Sequence, residues 1–173
     1  MKTLIRPINH LVLSRIINFV TLITEESLIL FDYDHDWEDR GGAYFCLADG
    51  ETGIPLIVLP VGNSGIRFEK AEKYIELCLE KAKRLSQNRN DISSWASRNL
   101  TARQYGGAIR FEGLIFSMSG FPEMGDEAIM LATAGATFLS LKRSNTIDYL
   151  DSIANINANK YWPKLKGYIL NSF

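Results

Sequence analysis

The stretch 105–128, YGGAIRFEGLIFSMSGFPEMGDEA, decides how the chain is read. Two strand-like runs, AIRF and LIFSMS, flank Glu112-Gly113, and a two-residue turn containing glycine joins antiparallel strands. After Ser119-Gly120 and Pro122 the apolar period changes. Ala128, Leu131, Ala132, Gly135, Phe138 and Leu139 then predict a helix to about Leu141. Its small residues, Ala128, Ala132, Gly135 and Ala136, would let its backbone approach a sheet closely. That approach would offset the roughly 1 kcal/mol by which a helical glycine is poorer than alanine.

Upstream, residues 68–87 carry a stripe of Phe68, Ala71, Ile75, Cys78, Ala82 and Leu85, with Lys81, Arg84 and the other charged residues assigned to the opposite face. Before it, AYFCLAD (43–49) and IPLIVLPV (54–61) surround GETG, whose Gly50 and Gly53 suit the positive φ of a tight turn. Pro55 and Pro60 place the second strand at a sheet edge or mark its ends. Residues 8–23 fit an amphipathic helix through Ile8, Leu11, Val12, Ile16, Phe19, Val20 and Ile23. The apolar run 27–33 reads as a strand ending in the acidic loop DYDHDWED. Residues 88–105 form a long polar connection with room for one short strand. The tail, 145–173, predicts two short helices that pack on the body or on a neighbouring subunit.

Bulk composition excludes several classes. The 173 residues suffice for one domain with a core, and no linker or repeat divides them. A net charge of −1 argues against nucleic acid, whose binders show a basic excess. Cys46 and Cys78 form no CxxC pair and read as reduced, buried residues of a cytoplasmic protein. Arg15 and Asn18 interrupt the apolar run 11–23, so no signal peptide or membrane span is expected.

Three patterns carry a family resemblance: the hairpin LADGETGIPLIVLPVG, the helix KYIELCLEKAKRL, and the opening stretch with its Gly-Gly, Ser-Gly and following Asp. Together they resemble the GlcG/HbpS-like family, which includes the PduO C-terminal domain and haem-degrading-domain-like proteins. The resemblance covers roughly residues 43–141. It implies an α+β, profilin-like fold, an antiparallel β-sheet of about five strands with helices on its faces. The whole chain, 1–173, would then be a single such domain with core 43–141, an N-terminal helix 8–23 and a C-terminal helical extension 145–173. It further implies a homo-oligomer that binds a small molecule, with haem, a related tetrapyrrole or a small organic acid as ligand. A metal-dependent enzyme and an assembly protein without catalysis are the other classes open at this stage.

The candidate pocket lies between the second hairpin and the following helix, roofed by 88–105. It draws on Tyr105, Gly107, Arg110, Ser119, Gly120, Glu123, Asp126 and Glu127. Glu123, Asp126 and Glu127 share one side of a first helical turn, where carboxylates stabilise the helix dipole and could also hold a hard cation. Arg98, Arg103, Tyr105 and Arg110 suit an anion, or simply a solvated loop. The loop at 32–39 lacks the glycine and glutamate of a calcium loop. His10 and His35 both lie outside the matched region, and GxSxG, GxGxxG and Walker A sequences are absent.

Overall fold

The structure, a computed structural model, describes residues 8–62 and 68–173. Its elements run α1 (His10–Leu30), a 3-10 turn (His35–Trp37), β1 (Ala43–Asp49), β2 (Pro55–Val61), α2 (Phe68–Gln87), β3 (Ala108–Phe111), β4 (Leu114–Ser119), α3 (Glu123–Ser140), α4 (Thr146–Ile156) and α5 (Trp162–Ser172). Among the described residues the fold is α+β: five α-helices and one antiparallel sheet of four strands, ordered β2-β1-β4-β3.

The two hairpins follow from their turns. Glu112 and Gly113 both have positive φ, 51° and 77°, the backbone a two-residue hairpin turn needs. In the first hairpin only Gly53 has positive φ, at 71°. Gly50 serves differently, because a Cβ there would stand 2.5 Å from the Gly113 carbonyl oxygen where the two turns meet. β2 is an edge strand, which accommodates its two prolines.

Strand alternation separates two cores. Cys46, Ala48, Ala108 and Ile115 face α2, meeting Cys78, Ala82 and Leu85. Phe45, Leu47, Ile109, Phe116 and Met118 join the larger core with α3, α1, α4 and α5. α3 lies at its centre, and every residue from Gly125 to Phe138 is buried. Gly135 packs against the tail rather than the sheet: a Cβ there would lie 2.7 Å from Ile169 and 3.3 Å from Leu150. The tail therefore packs on its own chain, through Leu150, Ile153, Trp162, Leu165 and Ile169.

Two expectations at the N-terminal half are corrected. The first helix runs to Leu30, so residues 27–30 are helical and the strand expected at 27–33 does not form. Thr24 and Ser27 extend the buried stripe of Ile16, Val20 and Ile23, and the Ser27 hydroxyl donates to the Ile23 carbonyl at 2.6 Å. Among the described residues, the sheet has four strands instead of about five. The short strand expected within 88–105 is reduced to isolated antiparallel bridges, Ser93 with Ile109 at the outer edge of β3 and Asn99 with Gln104 inside the segment. The Ser94 amide donates to Ala108 and the Arg110 amide to Ile92, each at 2.9 Å.

Among the described residues, no helix is long and apolar enough to cross a membrane. Cys46 and Cys78 are free and buried, and burial pushes both thiols up to about 12.

Candidate functional site

A cleft of about 390 Å³ opens where β4 ends and α3 begins. One wall is the turn Ser119–Glu123, another is α2 with Lys70, Lys73, Tyr74 and Leu77, and Arg40 and Tyr105 complete the rim. Lys81 and Asp126 also line it, and both side chains are only 2% exposed.

The position of Lys81 follows from its spacing. Cys78, Lys81, Ala82 and Leu85 stand at i, i+3, i+4 and i+7, so the lysine belongs to the stripe that meets the sheet. Its amine donates to the Met118 carbonyl at 2.6 Å and to Asp126 Oδ2 at 3.0 Å. Asp126 reaches it from the first turn of α3, while Oδ1 accepts the Phe121 amide at 3.0 Å. Burial raises the Asp126 carboxyl above its ordinary range, against the pull of Lys81 and the Phe121 amide. Gly107, at φ 108°, leaves room for the pair, since a Cβ there would lie 2.7 Å from Asp126 Cβ and 2.9 Å from the Lys81 amine.

Around this floor the charges are arranged unequally. Glu123 is engaged by Arg98 at 2.7 Å, and Arg98 also stacks over Trp95 at 4.8 Å. Arg40 donates to the Gly120 carbonyl at 3.0 Å, which leaves its positive charge unneutralised by that contact. Lys70 and Lys73 stand exposed on α2. Both carboxylates of the cleft thus have cationic partners, and three further cations border it.

Of the eight expected site residues, Tyr105, Ser119, Gly120, Glu123 and Asp126 line the cleft, and Gly107 lies under its floor. Two do not belong to it. Arg110 donates to the carbonyls of Gly50, Leu85 and Asp91 and so clamps the far end of α2 to the hairpin turns. Glu127 turns away from the cleft, where it accepts from Ser93 at 2.6 Å, Asn157 at 2.8 Å and Asn159 at 3.0 Å. No cation balances it in that set, and burial raises its carboxyl as well.

Sequence reasoning missed Arg40, Lys70, Lys73, Tyr74, Leu77 and Lys81. For Lys81 the signal was present: a lysine inside an apolar stripe at helical spacing. Lys81 and Arg84 were expected on the solvated face, but both are buried. Arg84 donates to Ser94 O, Ser97 Oγ and Tyr105 O at 2.9, 2.6 and 2.6 Å, and pairs with Glu80 at 2.6 Å.

The donor set is informative about cofactors. His10 is exposed at the start of α1, and His35 is 93% exposed beside Glu38, so neither histidine reaches the cleft. The cleft does not fit a histidine-ligated haem. Among the described residues, no three His, Cys, Asp or Glu side chains converge as metal ligands would. In the acidic loop, Asp34 caps the 3-10 turn by accepting the Asp36 amide at 2.9 Å, and Lys160 pairs with Asp36 at 2.9 Å.

Compared with known protein families, curated proteins and solved structures, the chain has no match.

Proposed function

We propose that this protein binds a small organic acid in the cleft between α2 and the β4–α3 turn. The observation that carries the reading is the charge arrangement: the cleft's two carboxylates are already paired, and Arg40, Lys70 and Lys73 remain at its rim. An anion entering there gains charge-assisted hydrogen bonds, and both carboxylates among the described lining residues already have cationic partners. The Ser119-Gly120 turn forms part of the cleft wall, with Gly120 packed on Ala43 and its carbonyl held by Arg40.

The same reading takes the fold as GlcG/HbpS-like and profilin-like. What supports it is the sheet order β2-β1-β4-β3 with the 92–94 segment bridged to the edge of β3, where a fifth strand would lie. The Gly-Gly, Ser-Gly and Asp pattern also falls at the cleft, through Gly107, Ser119, Gly120 and Asp126. A small acid suits this site better than a histidine-ligated haem because both histidines are elsewhere.

The test is calorimetric titration with malonate at low salt, in the wild type and in an Arg40→Gln/Lys73→Gln variant. Saturable binding should weaken by about tenfold or more in the variant and should fall with added salt. Equal affinities in the two proteins, or no binding in either, would remove the reading.

A further inference from the structure

Lys81 is a charged side chain that is costly to bury. A buried ion pair contributes little to stability, because desolvating two charges offsets their attraction, and an apolar side chain could hold α2 to the sheet as well. Yet Lys81 and Asp126 are placed where the cleft ends, with the rim cations above them. Gly107 packs directly against the pair, and a Cβ there would come within 2.9 Å of the amine. The amine is held by two acceptors, Met118 O and Asp126 Oδ2, out of the three it can donate to.

We propose that Lys81 is a nucleophile that condenses with the carbonyl carbon of a small oxo acid. The inference rests on the organic-acid reading, which supplies the carboxylate recognition, and adds the second functional group of the ligand. Arg40, Lys70 and Lys73 hold the carboxylate at the rim, and the carbonyl points to the floor.

The step balances within the site. The Lys81 ammonium gives one proton to Asp126, 3.0 Å away, and the freed lone pair forms a C–N bond to the carbonyl carbon. The carbonyl π electrons move to oxygen, which takes a second proton from the same nitrogen. Asp126 then returns its proton to that hydroxyl, the C–O bond breaks, water leaves, and the nitrogen lone pair completes a protonated imine. An ammonium and a carbonyl become an iminium and water, with no change in charge and no oxidant or reductant. The iminium sits where the ammonium was, so Asp126 is the counter-ion of both.

The experiment treats the full chain with pyruvate and cyanoborohydride, which reduces imines, and maps the modified lysines by peptide mass spectrometry. Malonate binding is measured in parallel. Lys81 should be modified about tenfold faster than the exposed lysines, as expected for a positioned reactant. Excess malonate should protect it, and a Lys81→Arg variant should lose that fast adduct while keeping a charge beside Asp126. If malonate binds but Lys81 reacts no faster than exposed lysines, the nucleophile is overturned and the organic-acid reading stands. If malonate does not bind and Lys81 is unmodified, both fall. Should the variant fail to fold, the wild-type map and its malonate protection decide alone.

Discussion

Asp126 and Glu127 are adjacent in sequence and lead separate lives. Successive helical residues project about 100° apart. On a helix with one solvent face, Glu123, Asp126 and Glu127 would form a single acidic cluster. α3 has partners all round, so that rotation sends Asp126 to α2 and Glu127 to Ser93, Asn157 and Asn159. The sequence shows the spacing but not the number of sides that are covered, and for that reason the candidate site was only partly legible. Glu127 has a pH consequence. Burial raises its folded value above the ordinary 4.5, so its stabilising proton is fully present below that value and is lost as pH rises through the folded one. Glu127→Gln removes the charge and keeps the size. In urea unfolding, the variant should gain stability relative to wild type as pH rises above the ordinary 4.5. Parallel pH profiles would show that the carboxyl is not titrating in that range. Asp126 shifts in the same direction, and comparing the two proteins cancels its contribution.

At the scale of elements, the hairpins and the helix α2 were legible because period and turn chemistry agree there. The end of α1 was not. SLILFDY is apolar enough for a strand, and only the continued burial of Thr24 and Ser27 against the core marks it as the last turns of a helix. The connection 88–105 lacks a pattern because side chains from elsewhere fix it. Arg84 alone binds Ser94, Ser97 and Tyr105. Arg84→Met should therefore release this segment while the sheet persists. Trypsin should cut the variant after Arg98 or Arg103 faster than the wild type. Stability should fall by about 2–3 kcal/mol, from three carbonyl and hydroxyl acceptors losing a charged donor. Unchanged cleavage would place the anchor elsewhere, with the Arg98–Glu123 pair the next to examine.

For the whole molecule, helices on the faces of one sheet were expected from the family resemblance, but the role of the tail was not legible. Its aromatic and apolar residues fit a subunit interface or an internal surface equally well, and Gly135 was read toward the sheet. The contact of Gly135 with Ile169 and Leu150 makes the tail part of the larger core. Leu165, fully buried there, is a direct probe. Leu165→Ala should lower the unfolding free energy by about 2–5 kcal/mol, a large share of the total for a domain of this size. A change in subunit association with no loss of stability would count against this packing.

The burial of α3 also sets an order of events in time. An amide near a solvent face can exchange its hydrogen by local fraying, but the middle of α3 is enclosed by the sheet, α1, α4 and α5. Its exchange has to wait for the whole molecule to open. Those amides are therefore the natural clock of global unfolding, and an acid held at the helix's first turn would slow that clock from one end to the other.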